Sequence, residues 1–166
     1  MELLTKFLEF MTIELTVLLT AALPIIELRG AIPVGVSLGM SPAHAFFISF
    51  LGSMLPVPII ILTIRPVFKE LRKWKVFRGF VDRITTKTML RSDRIKKYGF
   101  WGLILFVAIP LPGTGVWTGT LASVLLDMRL KVAFPAIFIG NLIAGTVIMM
   151  VSDGAVRTLN LLGNIL

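Results

Sequence analysis

The sequence predicts an all-α integral membrane protein. It is built from two inverted repeats, each a re-entrant helical hairpin followed by a transmembrane helix, joined by a basic amphipathic cytoplasmic segment. Three observations carry this. Apolar residues make up 56% of the 166, against roughly 45–50% in soluble chains. Three windows hold no Asp, Glu, Lys or Arg: Gly30 to Ile64, Tyr98 to Leu126 and Val132 to Ser152. Each exceeds the roughly 20 residues that span a bilayer. Finally, the positive charge is gathered in one place: Arg65 to Lys97 holds twelve Lys/Arg and three acids, a net +9 that leaves −1 for the rest of the chain.

Taken in order, "MELLTKFLEF" is mixed in charge and lacks the basic start and small-residue site of a cleavable signal peptide. Leu15 to Pro42 follows, 28 residues broken by Pro24, Gly30 and Pro33. One straight helix of that length runs about 42 Å, too long for a hydrocarbon core of about 30 Å, while two spans need about 40 residues. A hairpin of two half-helices with a non-helical tip inside the membrane fits. Such a tip is tolerated where protein or water satisfies its backbone. Ala43 to Ile64 is then an ordinary span, and 10–64 forms the first repeat of a single membrane domain, 1–166.

The basic segment, 65–98, reads as an amphipathic helix opened by Pro66. Val67, Leu71, Trp74, Phe77, Val81 and Ile84 recur at helical spacing. A basic helix with Trp and Phe on its apolar side suits an anionic inner leaflet, and the positive-inside bias places it in the cytoplasm. These properties account for the basic isoelectric point without nucleic acid.

The second repeat, 99–151, restates the plan: Gly99 to Leu126, broken by "IPLPGTGVWTG", then a span from Val132 to Val151 and a tail over 152–166. A slide of 88 residues matches Leu23-Pro24 to Leu111-Pro112, Met40 to Met128, Ala45-Phe46 to Ala133-Phe134 and Gly52 to Gly140. Each repeat crosses once, so the second is inverted relative to the first, as in secondary transporters with broken helices. Four plain spans is the competing plan.

Chemistry concentrates at the tips. Glu27 and Arg29 stand in an apolar stretch where a charge costs a few kcal/mol unless paired or hydrated. Two residues apart, they diverge on a helix but share one side of an extended tip. Glu27 is therefore read as a proton-exchanging carboxylate and Arg29 as the holder of an anionic group, with a static ion pair as the alternative. In the second tip, Gly113 and Gly115 allow close backbone approach, Thr114 and Thr118 add hydroxyls, Trp117 can stack on a substrate, and Asn141 can donate to a tip or a neighbouring helix. Both tips are expected to face a shared cavity. Glu14 reads as a carboxylate at the outer interface and His44 as a turn residue at the start of a span. No H-E-x-x-H or G-x-S-x-G occurs and there is no cysteine, so an enzyme, a metal site or a cofactor is not expected.

At Glu27-Leu28-Arg29-Gly30-Ala31-Ile32-Pro33 and Pro110-Leu111-Pro112-Gly113 the chain resembles the small multidrug export protein family, which is thought to be related to the DedA (SNARE-associated, VTT-domain) superfamily. The resemblance covers nearly the whole chain. It implies paired re-entrant hairpins, and a proton-coupled transporter of an amphipathic anionic lipid such as a polyprenyl phosphate, working with membrane lipids and protons or another coupling ion. It also fits a homodimer in a bacterial or archaeal plasma membrane. DedA proteins usually place the acid beside "PxPG" in the first hairpin; here "PxPG" comes second, and acid and arginine share the first. Export of organic cations through Glu27 is the alternative transport reading. A membrane scaffold recruiting partners through its basic segment is the alternative from another class.

Overall fold

The computed structural model describes residues 2–71, 73–111 and 114–163, and all regular structure among them is helical. The helices are α1 (Glu2–Ala22), α2 (Glu27–Ser37), α3 (Pro42–Met54), α4 (Pro56–Leu71), α5 (Lys75–Arg91), α6 (Asp93–Ala108), α7 (Val116–Leu125) and α8 (Leu130–Gly163). Two stretches are long and apolar enough to cross a membrane: Pro42–Ile64, formed by α3 and the start of α4, and Leu130–Val156 within α8. The apolar helices Met11–Ala22 and Val116–Leu125 are too short to do so. Along the first span, Phe47, Leu51, Leu55, Ile59 and Leu62 are exposed, while Ala45, Ser49, Ser53, Val57 and Ile60 are buried. A continuous exposed apolar stripe at helical spacing is what lipid covers and water does not.

The chain forms two compact units. Unit 1 comprises residues 1–53 and 143–166, unit 2 residues 54–142. In unit 1, α1 and α2 make a helical hairpin turned at residues 23–26. Its core is Val17 and Ala21 from α1, Leu28, Ala31 and Ile32 from α2, and Met40, Ala45 and Phe46 at and after the next turn. Small residues set the spacing. A Cβ on Gly35 would lie 2.9 Å from Ala45 and 3.2 Å from Val17, and one on Gly52 would strike the carbonyl oxygen of Leu18. Gly145 of α8 fits in the same way against Phe46 and Leu28.

Unit 2 holds a second hairpin, α6 and α7. Its first arm is bent at Gly99 (φ 54°, ψ −119°), the residue at which the sequence places the start of the second repeat. Gly119 packs on Val107 and Leu103, and a Cβ on Gly140 of α8 would lie 2.8 Å from the Ile104 carbonyl oxygen. Three buried hydroxyls of unit 2 are satisfied by nearby carbonyls: Thr120 donates to Val116 O (2.6 Å), Ser123 to Thr120 O (2.7 Å) and Ser92 to Thr88 O (2.6 Å).

The 88-residue offset reappears in backbone geometry. The second arms end alike: Leu38 (φ −84°, ψ 6°) and Leu126 (φ −91°, ψ 12°) are followed by Gly39 and Asp127 at φ 92° and 55°. Met40 N–H donates to Gly35 O at 3.0 Å, and Met128 N–H to Ser123 O at 2.9 Å. Each is a Schellman closure, in which a left-handed residue lets the chain return its amide to the last turn. The second arms also begin alike. Glu27 (φ 51°) and Gly115 (φ 129°) are the left-handed residues at the starts of α2 and α7.

Three expectations change. Gly30 and Pro33 do not break the chain, because the break is confined to residues 23–26 and both residues lie inside α2. Pro66 opens no helix: α4 runs through it to Leu71, and the next helix starts after Trp74, whose backbone is extended (φ −92°, ψ 118°). The six-residue apolar stripe divides as well. Val81 is buried with Thr88, Ser92 and Ile95, which follow it by seven, eleven and fourteen residues and mark the core-facing side of α5 and the start of α6. Val67, Trp74 and Phe77 are exposed.

Candidate functional site

Glu27 closes the first tip and starts α2. Its N–H donates to Leu23 O at 3.1 Å, and Gly30 N–H donates to Ile26 O at 3.1 Å, so the backbone of the broken segment is folded on itself. The Glu27 side chain is buried, with 5% of the residue exposed. A carboxylate at a helix N-terminus faces the unpaired first-turn amides and the positive end of the helix dipole. Arg29 is half-buried and is attracted electrostatically by Glu27. The expected extended tip is not what brings them together, since both belong to the first turn of α2. Glu27 itself has a left-handed backbone, with φ 51°. Only a residue forced by its surroundings adopts that conformation with a Cβ present.

The second tip carries no charge. Thr114 donates its hydroxyl toward Ile109 O and Leu111 O, both at 2.8 Å, and its N–H bonds Leu111 O at 3.2 Å. That hydroxyl therefore closes the tip, which is the use that a broken helix makes of a nearby Thr. Gly115 is buried and caps α7; Trp117 and Thr118 are half-buried on its first turn. Asn141 is buried on α8 at 1% exposure. Gly113 and Pro112 lie outside the described residues. Glu27 and Arg29 belong to unit 1, and Thr114, Gly115, Trp117, Thr118 and Asn141 to unit 2.

Two features escaped the sequence reading. Glu14 on α1 and His44 on α3, taken separately as interfacial residues, form an ion-pair contact of 2.6 Å between Oε1 and Nε2. Thirty residues apart, they carry no local signature of that pairing. Ser49 of α3 is fully buried, and its hydroxyl has no hydrogen-bond partner among the described residues. Its signal was slight: a Ser one turn before Gly52 on a span.

Among the described residues no cluster of His, Asp and Glu suits a metal ion. A family model described as "Putative small multi-drug export protein" matches residues 27–147, a stretch that begins at Glu27, takes in the second tip and the first apolar span, and ends within the second span. No curated protein and no solved structure matches the chain.

Proposed function

Because the chain belongs to the small multi-drug export protein family and carries two helical stretches long and apolar enough to cross a membrane, we propose that it is a membrane protein and a proton-coupled transporter of an amphipathic anion, with a polyprenyl phosphate as the type of substrate. Arg29 binds the anionic head, and Glu27 competes with that head for Arg29. The observation that carries this is the order of burial. The carboxylate lies deepest and the half-buried guanidinium lies outside it, so an arriving ligand meets the cation first. When Glu27 is ionised it neutralises Arg29; when it takes a proton, Arg29 is left to an external anion. Proton and anion then bind together, and neither charge enters the membrane alone.

In this reading the two hairpins are re-entrant and the repeats inverted, with the basic segment in the cytoplasm. Several features support it. The second arms, α2 and α7, extend about 16 and 15 Å at 1.5 Å per residue, well short of a core of about 30 Å. The tip amides are satisfied by polypeptide, as a break at membrane depth requires. The matching closures at an offset of 88 support duplication.

The family description favours a second reading, export of an organic cation bound by Glu27 in alternation with a proton. Proteoliposomes separate the two. Movement of a fluorescent polyprenyl phosphate, stimulated by a pH gradient and abolished by both Arg29→Ala and Glu27→Gln, supports anion transport. Efflux of ethidium that survives Arg29→Lys and is lost in Glu27→Gln supports cation export. If both tip variants fold and move both probes as wild type does, the tip is not a transport site.

A further inference from the structure

Glu14 and His44 form a further contact between ionisable groups in unit 1. We propose that this pair is a second proton-binding site, at the end of the unit away from Glu27 and needed for the response to a pH gradient, an inference that rests on the transport reading above. Nε2 of His44 lies 2.6 Å from Oε1 of Glu14, a length typical of a charge-assisted hydrogen bond. The contact joins α1 to α3. The two side chains retain 34% and 20% of their exposure, so the pair is partly open at the surface of the unit while most of it is shielded. His44 is the chain's sole histidine, and imidazole is the side chain that ordinarily gains and loses a proton between about pH 5 and 8.

Position separates this site from Glu27. Glu14 lies eight residues before the end of α1, about 12 Å along the helix from its tip end. His44 is the third residue of α3, just after the turn that closes the hairpin's open end. Between the two sites lies the core of Val17, Ala21, Leu28, Ala31 and Ala45. The described ionisable groups on the elements of this unit are Glu14 on α1, Glu27 and Arg29 at the tip end of α2, His44 on α3 and Asp153 on the C-terminal part of α8.

The proton count is simple. With imidazole neutral and its proton on Nε2, the pair holds one hydrogen bond and a net charge of −1. Uptake of one proton at Nδ1 gives imidazolium and carboxylate, net zero, with the Nε2–H···Oε1 bond kept. The site can thus load and unload without parting α1 from α3. A Lys in place of His44 would hold Glu14 as firmly but would not release a proton near neutral pH.

A single histidine makes the test direct. In full-length, ¹⁵N-histidine-labelled protein in lipid nanodiscs, the one imidazole should show the Nε2–H tautomer when neutral and gain an Nδ1 proton on acidification. In Glu14→Gln the neutral form should become a mixture of tautomers. In proteoliposomes with the fluorescent polyprenyl phosphate, His44→Gln and Glu14→Gln should keep probe exchange at equal pH and lose stimulation by an imposed gradient, and Glu14→Asp should restore part of it. The proposal is overturned if wild-type His44 takes up no proton between about pH 5 and 8. It is equally overturned if the wild type shows no gradient stimulation, or if His44→Gln retains it. The spectra need no transport, so they judge this pair even where Arg29→Ala shows that the tip reading has failed.

Discussion

The backbone of Glu27 offers a measurement that separates fold from function at one residue. At φ 51°, a side chain with a Cβ sits in the left-handed region at a cost of roughly 1–2 kcal/mol, which glycine avoids. Glu27→Gly and Glu27→Ala both remove the carboxylate and leave Arg29 with the same loss, so the difference between them isolates the backbone. Ordinary helix propensity favours Ala over Gly by up to about 1 kcal/mol in a helix interior. Glu27 is the first residue of α2, where that penalty applies only in part. The Gly variant should therefore be the more stable of the two by about 1 kcal/mol, the reverse of the usual helical order. For a chain of this size that is roughly 2–4 °C in Tm, readable by tryptophan fluorescence in detergent. Both variants, and Glu27→Gln, should be inactive in transport. An Ala variant as stable as the Gly variant would refute the left-handed assignment and, with it, the argument that this position bears a strain glycine would relieve.

Other outcomes follow from the packing. Gly52→Ala and Gly140→Ala, whose new methyls meet the Leu18 and Ile104 carbonyl oxygens, should each cost about 1–3 kcal/mol. Gly154→Ala, in open space within α8, should be neutral or stabilising by up to about 1 kcal/mol in the same thermal assay. Ser49→Ala removes a buried hydroxyl that lacks a partner among the described residues and should raise stability by about 1 kcal/mol; transport lost alongside that gain would place substrate at Ser49. Trp74 is exposed beside the exposed cations Lys69, Lys73 and Arg78. As the sole tryptophan, after Trp101→Phe and Trp117→Phe, it should be quenched by brominated lipid in anionic bilayers and less so in zwitterionic ones, and Lys69→Glu with Lys73→Glu should remove the difference.

Membrane character and the positions of both hairpins were legible because hydrophobic length and charge placement are one-dimensional quantities. The 88-residue correspondence of the two second arms was legible for a related reason: a proline at a tip and a glycine at a close helix crossing are backbone requirements that recur wherever the geometry recurs. What the sequence misplaced were features decided by neighbours. Pro33 and Gly30 carry helix-breaking propensities, yet packing of α2 on α1 overrides them. Thr88 and Ser92 look solvent-facing by polarity and are buried, because each sits on the core side of the helical segment and Ser92 spends its hydroxyl on the Thr88 carbonyl. Glu14 and His44 meet only because α3 is brought alongside α1.

The two tips sharpen what Glu27 means. Their second arms end in the same closure, and their left-handed residues fall at positions 27 and 115, one offset apart. A fold that required only the turn would be best served by glycine at both, as Gly115 shows. Position 27 instead bears a carboxylate, buried, in a conformation that glycine would hold with less strain. Neither term improves folding: the backbone costs about 1–2 kcal/mol, and a buried charge costs several more that a partner offsets only in part. A structural ion pair could be built more cheaply on regular helix positions three or four residues apart, where side chains meet without strain. On the transport reading, that excess is the cost of work at the first tip that glycine cannot do, while at the second tip the Thr114 hydroxyl closes the backbone.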